Sequence, residues 1–514
     1  MPKKINLALP LNRVEGDLEI RVEIDDGVVS DAWCAGTLYR GFERILVGRG
    51  ALDGLVITPR ICGICGTAHL TAAARALEAI GEVTPGEDAV RVRNVALMTE
   101  HIQSDLRQGF LMFTADFVNP AYADHPLYPE VVRRFEPFKG EAVVEVIRQT
   151  KKVLEIVAIV GGQWPHSSYM VPGGIASRPS ASQLRQCRLL LKQYRLWYEQ
   201  RVLGCSVERW LELQSSADLD AWLDQSEAHR ESHLGLFVRF ARALGLDRVG
   251  RGHDNFLSFG GLDLPPETAV SGTAGTYLPT GFLHGGQLDA FDPSQVTEHV
   301  AHSWFVDYEG GRHPSRGETR PYATGEEGAK YSWAKAPRYA GEPAETGPLA
   351  ERLIAGDPLL ANLVATQGAT VFVRQLARLT RPCHLMPAMD AWIGETRAEG
   401  SAEFYRASGE LTDGEGWGLT QAARGALGHW VRIANGEIAH YQIITPTAWN
   451  ASPRDARHLR GPIEQALVGT AVRDSANPVE IGHVVRSFDP CLVCTVHFVD
   501  LRHPARSGRR SLAV

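Results

Sequence analysis

Apolar and polar residues alternate near the start of the chain. Leu18, Ile20, Val22 and Ile24 are separated by polar positions, Asp26-Gly27 supplies a turn, and Val28 with Val29 opens a return strand, so the pattern predicts a β-hairpin. From about Thr67 the period changes to three and four. Stretches near 68–81, 88–115, 140–160, 181–213 and 228–245 carry apolar residues at helical spacing, as in Leu184, Cys187, Leu191 and Tyr194. Glycine, proline and short polar clusters then become frequent between about 250 and 347, which predicts an irregular region of loops and brief elements wrapped over a helical core. Leu349 to Leu379 returns to helical spacing, short strands follow 415, among them the run 436–444, and a last helix is expected near 461–473. The chain is therefore expected to be α+β and predominantly α, a long-helix core with small peripheral β-sheets. Its expected regions are 1–66 (N-terminal β), 67–250 (long helices), 251–348 (irregular wrapping), 349–497 (C-terminal α/β) and a tail, 498–514.

Composition narrows the function classes. The 514 residues are 44% hydrophobic and 22% charged, with 53 Lys plus Arg against 60 Asp plus Glu, and the net charge of -7 argues against nucleic acid as a partner. No apolar run approaches the roughly 20 residues of a membrane-spanning helix. Eight cysteines are too few for a secreted disulfide scaffold; with no signal-peptide pattern at the start, a reducing, cytoplasmic compartment is expected, attached if at all to a membrane face through partners.

Four of the eight cysteines stand in two Cys-x-x-Cys pairs at opposite ends of the chain. Cys62 and Cys65 lie in Arg60-Ile-Cys-Gly-Ile-Cys-Gly66, and Cys491 and Cys494 in Asp489-Pro-Cys-Leu-Val-Cys-Thr-Val-His497. Each pair aims two thiols at one spot, and two pairs brought together would offer four sulfurs to a soft transition metal: nickel, zinc or iron. Cys34, Cys187, Cys205 and Cys383 share no spacing and read as small buried hydrophobes. A structural tetrathiolate zinc is the plain alternative.

Further motifs accompany the pairs in order: Asn12-Arg-Val-Glu-Gly16, Arg40-Gly-Phe-Glu43, His69, Lys335-Ala-Pro-Arg-Tyr339, Glu345-Thr-Gly-Pro-Leu-Ala350, Arg424-Gly-Ala-Leu-Gly-His-Trp430 and Pro446-Thr-Ala-Trp-Asn450. With them the chain resembles, over nearly its whole length, the large catalytic subunit of nickel-iron hydrogenases. Asp17, where many relatives have His, resembles the cytoplasmic uptake and hydrogen-sensing branch.

The resemblance implies that family's large-subunit fold and the splitting of H2 into protons and electrons. It makes Cys62 and Cys491 terminal nickel ligands, and Cys65 and Cys494 bridges to an iron carrying carbon monoxide and cyanide. Glu15 would take a proton from Cys491, Arg424 would overhang the open metal position beside Asp489, and His69 would hydrogen-bond a bridging sulfur. Glu43, His497 and the backbone carbonyl near Ile443 match ligands of a magnesium ion. An iron-sulfur small subunit would take the electrons, and a maturation endopeptidase would cut after His497, removing 498–514. A hydrogen sensor with slow turnover is the alternative function.

Simpler readings of the same residues are a pairing of Glu15 with Arg13, of Glu43 with Arg40 or Arg44, and of Arg424 with Asp489. Ser104, beside Asp105, stands where many relatives have aspartate, and Ala423 where proline often precedes the arginine. Ile64 and Met112 or Phe113 fall near the family's gas-channel throat, where bulk implies restricted gas entry.

Overall fold

The structure is a computed structural model that describes residues 4–492, apart from 274, 326 and 401. The alternating stretch at the start forms the predicted hairpin, with Leu18–Asp25 antiparallel to Val28–Gly36. A third strand, Lys4–Leu11, pairs on the outer side of Leu18–Asp25. Leu18, Ile20, Val22 and Ile24 all face inward and are buried, as period-two alternation requires of a sheet covered on one face.

Two long helices cross the centre, Glu87–Arg107 and Val371–Glu395, with 19 of 21 residues buried in the first and 19 of 25 in the second. The first continues through a wider turn, Gln108–Phe113, and a tight one, Thr114–Val118, so the helical pattern predicted over 88–115 is present but changes its winding at its C-terminal end. The helical stretch predicted over 349–379 is three helices: Pro348–Ile354, Pro358–Gln367 and Val371–Glu395. Asp357 and Thr370 cap the second and third, and Gly356 and Gly368, both at positive φ, end the ones before them. The last helix runs well beyond its expected end, through Pro382 and Pro387. Packing on both sides supports it where local propensity would stop it.

A three-stranded antiparallel meander, Gly414–Ala422, Gly425–Ala434 and Glu437–Ile444, closes the C-terminal region. Its first strand lies directly on the helix Gly66–Ile80. A Cβ at Gly418 would come 1.9 Å from the Ala72 carbonyl oxygen, and one at Gly416 2.4 Å from that of Ala76, so glycine is what lets strand and helix backbones meet. The expected helix near 461–473 is the short Pro462–Leu467. In the wrapping region, Phe256–Asp263, Thr276–His284 and Gln287–Asp289 make a small sheet, and Val296–His299 pairs with Ala336–Tyr339. One apolar core includes residues from the N-terminal sheet, the long helices and the C-terminal segment as far as Leu492. Among the described residues no helix is long and apolar enough to cross a membrane.

Candidate metal centre

The first cysteine pair occupies the turn between the short helical turn Thr58–Arg60 and the helix Gly66–Ile80, with Cys65 as that helix's N-cap. A Cβ at Gly66 would press to 3.1 Å from the Pro59 carbonyl oxygen, so this glycine lets the turn close tightly behind the thiols. Cys491 follows the helix Val479–Ser487 through Asp489, whose φ of 54° is a left-handed conformation that aspartate tolerates better than most residues.

The fold brings these distant segments together. Cys62 Sγ lies 3.6 Å from Cys491 Sγ, and Cys62, Cys65 and Cys491 are 3%, 5% and 0% exposed. Two thiolates on one tetrahedral ion, each about 2.3 Å from it, would be about 3.8 Å apart, so the observed spacing suits a shared metal. Cys65 is the third sulfur of the group: the thiols of Cys62, Cys65 and Cys491 all act electrostatically on the guanidinium of Arg424. Cys494 and His497 lie outside the described residues, and among the described residues no group of three or more His, Cys, Asp or Glu converges closely enough to hold a metal by itself. Cys34, Cys187 and Cys383 are buried as expected, while Cys205 is half-buried.

Glu15 meets Cys491 through the backbone. The two residues form an isolated parallel β-bridge, and the Leu492 amide donates to the Glu15 carbonyl at 2.5 Å. The Cys491 amide donates to Thr447 Oγ1 at 2.8 Å, which fixes the strand's other side. Burial raises the pKa of the Glu15 carboxyl, Arg424 opposes the shift, and the charges of Cys62 and Asp489 add to it. Arg13 does not pair with Glu15. It is bonded to Asp116 and to the Met112 carbonyl.

Arg424 and Asp489 form a buried ion pair, Nε to Oδ1 3.1 Å, without the alignment of a hydrogen bond. Arg424 Nη1 has no hydrogen-bond partner among the described residues, an orphaned buried donor beside the thiols. The other Asp489 oxygen accepts from Arg378 Nη1 at 3.2 Å, and Arg378 is 3.7 Å from Asp105. Asp105 in turn takes both arms of Arg381 at 2.8 and 2.9 Å, and Arg381 also reaches Glu351 and the Ala423 carbonyl. It is thus Asp105, not Ser104, that carries charge in this arginine network. The Ser104 hydroxyl is buried without a hydrogen-bond partner among the described residues.

His69 starts the first full turn after Cys65, its amide donating to the Cys65 carbonyl at 3.2 Å. Its Nδ1 is 3.0 Å from Nε2 of His429, and His429 Nδ1 is 2.9 Å from the Tyr441 hydroxyl. Burial pushes the His69 pKa down to about 4, with the Cys62 charge opposing and Arg40 adding, so the ring is neutral.

Sequence reading missed Glu100. Its carboxylate accepts from the amides of Thr67 at 2.9 Å and Ala68 at 3.1 Å, and so caps the helix that begins at Gly66. Burial drives its pKa up to about 8, the two amides oppose, and the Cys62 charge adds. No local signal announces it, because the acceptor sits on another helix.

Glu43 builds a second polar pocket. Its Oε1 accepts from the Ile443 amide at 2.9 Å and its Oε2 from the Thr319 hydroxyl, while Lys335 Nζ stands 3.9 Å away. Lys335 also donates to Gln442 Oε1 at 2.6 Å and faces Glu298, whose pKa is raised to about 7 by burial, lowered by Lys335 and raised by Glu43. Glu43 therefore pairs with Lys335 rather than with Arg40 or Arg44. At Ile443 it is the amide that faces Glu43. The grouped oxygens of Glu43, Glu298, Thr319 and Gln442 are of the hard kind that suits magnesium, although Lys335 already neutralises part of the charge.

Comparison with known proteins bears on both sites. The profile of the family described as nickel-dependent hydrogenase matches residues 40–127 and 237–497. The chain is 33% identical to the periplasmic [NiFeSe] hydrogenase large subunit of Desulfomicrobium baculatum, over 96% of this chain and 95% of that one. It is 29% identical to the hydrogenase-2 large chain of Escherichia coli, over 96% of each, and 28% identical to the uptake hydrogenase large subunit of Rhodobacter capsulatus, over 95% and 94%. The solved H2-activated [NiFeSe] hydrogenase of Desulfomicrobium baculatum superposes with a TM-score of 0.81 at 31% identity, covering 97% of this chain and all of that one.

Proposed function

The chain belongs to the nickel-dependent hydrogenases, and from that membership we propose that it is the catalytic large subunit of a nickel-iron enzyme whose thiolate cradle is Cys62, Cys65, Cys491 and Cys494. It is an oxidoreductase that takes electrons from H2 and works with an iron-sulfur small subunit. The observation that carries the assignment of roles is the meeting of Cys62 and Cys491 at 3.6 Å with the Glu15 backbone bridged to Cys491.

A bound nickel-iron pair would supply the Lewis acid that makes H2 acidic enough to split. The chain's own groups do the rest. Cys491, buried beside Cys62 and tied by backbone to Glu15, would be the ligand sulfur that takes up a proton. Glu15, desolvated enough to be protonated at a higher pH than a free carboxyl, receives it from the sulfur and passes it outward. Arg424, anchored by Asp489 and carrying a buried, unpaired Nη1, acts electrostatically on the thiols and stabilises their negative charge. Carbon monoxide and cyanide on the iron, and magnesium held by Glu43, His497 and a backbone carbonyl at Ile443, complete the proposal.

Asp17 supports a cytoplasmic branch of the family, and removal of 498–514 by an endopeptidase would free His497 for the second site. Elemental analysis of the purified heterodimer should return nickel and iron together, with infrared bands in the carbonyl and cyanide region. A protein carrying zinc alone would defeat the reading. A fast turnover with artificial acceptors is expected; slow turnover in metal-replete protein would favour the sensor instead. An intact mass ending at His497 and recovery in the cytoplasmic fraction test the remaining two points.

A further inference from the structure

Away from the cysteines, a cleft of about 530 Å³ lies against the polar face of the N-terminal sheet. Asn6, Arg21 and Trp33 line it from the sheet, and His302, Tyr331 and His458 line it from segments far along the chain. The two histidines share no motif. Tertiary structure alone brings them to one cleft.

His302 is 8% exposed, and its ring is oriented from behind. Its Nδ1 lies 2.8 Å from the Ala329 carbonyl oxygen. A carbonyl can only accept, so Nδ1 carries the ring proton and Nε2 keeps its lone pair. Nε2 has no hydrogen-bond partner among the described residues. Burial lowers the pKa of this ring against the Ala329 bond, and the charges of His458, Arg454 and Lys330 lower it further, so the lone pair stays free near neutral pH. A histidine whose N–H goes to a backbone carbonyl while its other nitrogen is free has the arrangement of a metal ligand.

His458 is exposed, but its backbone is held. Its φ is 61°, its amide donates to the Asp455 carbonyl at 2.9 Å, and the Asp455 carboxylate receives the amides on either side, Arg457 at 2.9 Å and Leu459 at 3.1 Å. Asp455 is itself fixed by the buried Arg338, whose Nε is 2.9 Å away.

The ring centres of His302 and His458 are 5.2 Å apart. Imidazole nitrogens about 2.0–2.1 Å from one ion put each ring centre about 3.2 Å from it, and a tetrahedral angle then spaces the centres by about 5.2 Å. The right angle of an octahedral or square-planar ion would bring them to about 4.5 Å. The observed spacing is the tetrahedral one. The two cations nearby already have counter-ions. Lys330 Nζ donates to Asp307 at 2.6 Å and to the Val300 and Ser303 carbonyls, while Arg454 pairs with Asp31 and lies 3.8 Å from Glu464.

We propose that His302 and His458 form a binding site for a divalent transition ion, zinc by its geometry, with water in the remaining positions. Imidazole nitrogen is a donor that suits such an ion. Two protein ligands fall short of the four of a structural zinc site, so this ion exchanges with solution. The site shares no residue with the thiolate cradle and does not depend on it.

Equilibrium dialysis of the heterodimer against micromolar zinc(II), after loosely held metal has been stripped with a chelator, tests the proposal. Zinc is expected to bind in addition to nickel and iron. His302→Ala and His458→Ala should each weaken that binding by about tenfold or more, since losing a ligand costs at least as much as losing the group that supports one. Both variants should keep the nickel content and hydrogen oxidation of the parent, and His458, on the surface, can be replaced without disturbing the core. His284→Ala, at a histidine paired with Asp289 at 2.9 Å on another hairpin, should leave zinc binding unchanged. In a crystal soaked in the same zinc(II), anomalous scattering should place the ion between the His302 and His458 rings. Binding only at millimolar zinc, an equal loss in the His284 variant, or an ion located elsewhere would overturn the proposal.

Discussion

Glu15 and Cys491, from opposite ends of the chain, lie side by side as a parallel β-bridge, with the amide of Leu492 donating to the Glu15 carbonyl. The carboxyl that is to handle the proton is therefore tied by backbone to the sulfur that is to release it. Glu15→Gln keeps size and backbone and removes only the titrating group. The expected outcome is unchanged nickel content and a loss of hydrogen-oxidising activity of about 10²–10⁴-fold, the usual worth of a positioned proton carrier. Activity within a factor of two of the parent would show that the proton leaves elsewhere.

Asp489 sits between two buried guanidiniums, Arg424 at 3.1 Å and Arg378 at 3.2 Å. Asp489→Asn leaves both buried guanidiniums with too little negative charge. Denaturant unfolding should show a loss of about 3–5 kcal/mol, the range for breaking a buried pair from one side. Asp390→Asn, at the exposed pair with Arg188, should cost no more than about 1 kcal/mol in the same assay.

Glu100 makes stability depend on pH in the alkaline direction. Its pKa is raised by burial from 4.5 to about 8, so the native state holds a proton that the unfolded chain has released. The stability that goes with this proton is fully present below pH 4.5 and is lost as pH rises through about 8. The whole effect is on the order of 5 kcal/mol, at about 1.4 kcal/mol per unit. Glu100→Gln stays neutral throughout, so its unfolding free energy should fall less than the parent's between these limits. Parallel pH dependence in the two proteins would contradict the assignment.

Gly418 is the closest backbone approach between the meander and the metal-side helix, and a methyl group there would lie 1.9 Å from the Ala72 carbonyl oxygen. Gly418→Ala must push strand and helix apart, and about 3 kcal/mol or more of stability should be lost. Gly436→Ala, in an open turn with nothing within 4 Å, also has positive φ, so only its backbone strain is felt, about 1 kcal/mol. Thermal unfolding of the pair separates steric displacement from strain.

Much of the centre was legible before folding. Cys62, Cys65 and Cys491 stand in Cys-x-x-Cys motifs whose residue types announce a soft metal, the family resemblance singled out Glu15, Arg424 and Asp489, and the structure brings all six together. Cys494 and His497 were read from the same motif but lie outside the described residues. Glu100 was not legible, because a cap supplied from another helix leaves no spacing to read. Nor was the partner of Arg13, which a local reading gave to Glu15 and the fold gives to Asp116.

The elements divide in the same way. Period-two alternation was enough for the N-terminal hairpin and period-three-and-four spacing for the long helices, since both are local consequences of which face meets the core. The third N-terminal strand, the three-way division of 349–395 and the passage of a helix through Pro382 and Pro387 were decided by tertiary contacts. By itself, then, the sequence determined the donor atoms and the periodic elements. Only the tertiary structure decided which aspartate takes the arginines, which carboxylate caps the helix after Cys65, and which acid pairs with Arg13. Those outcomes depend on groups far apart along the chain being desolvated together, and hydrogen bonds and charges acquire their direction and strength only in that shared, water-poor space.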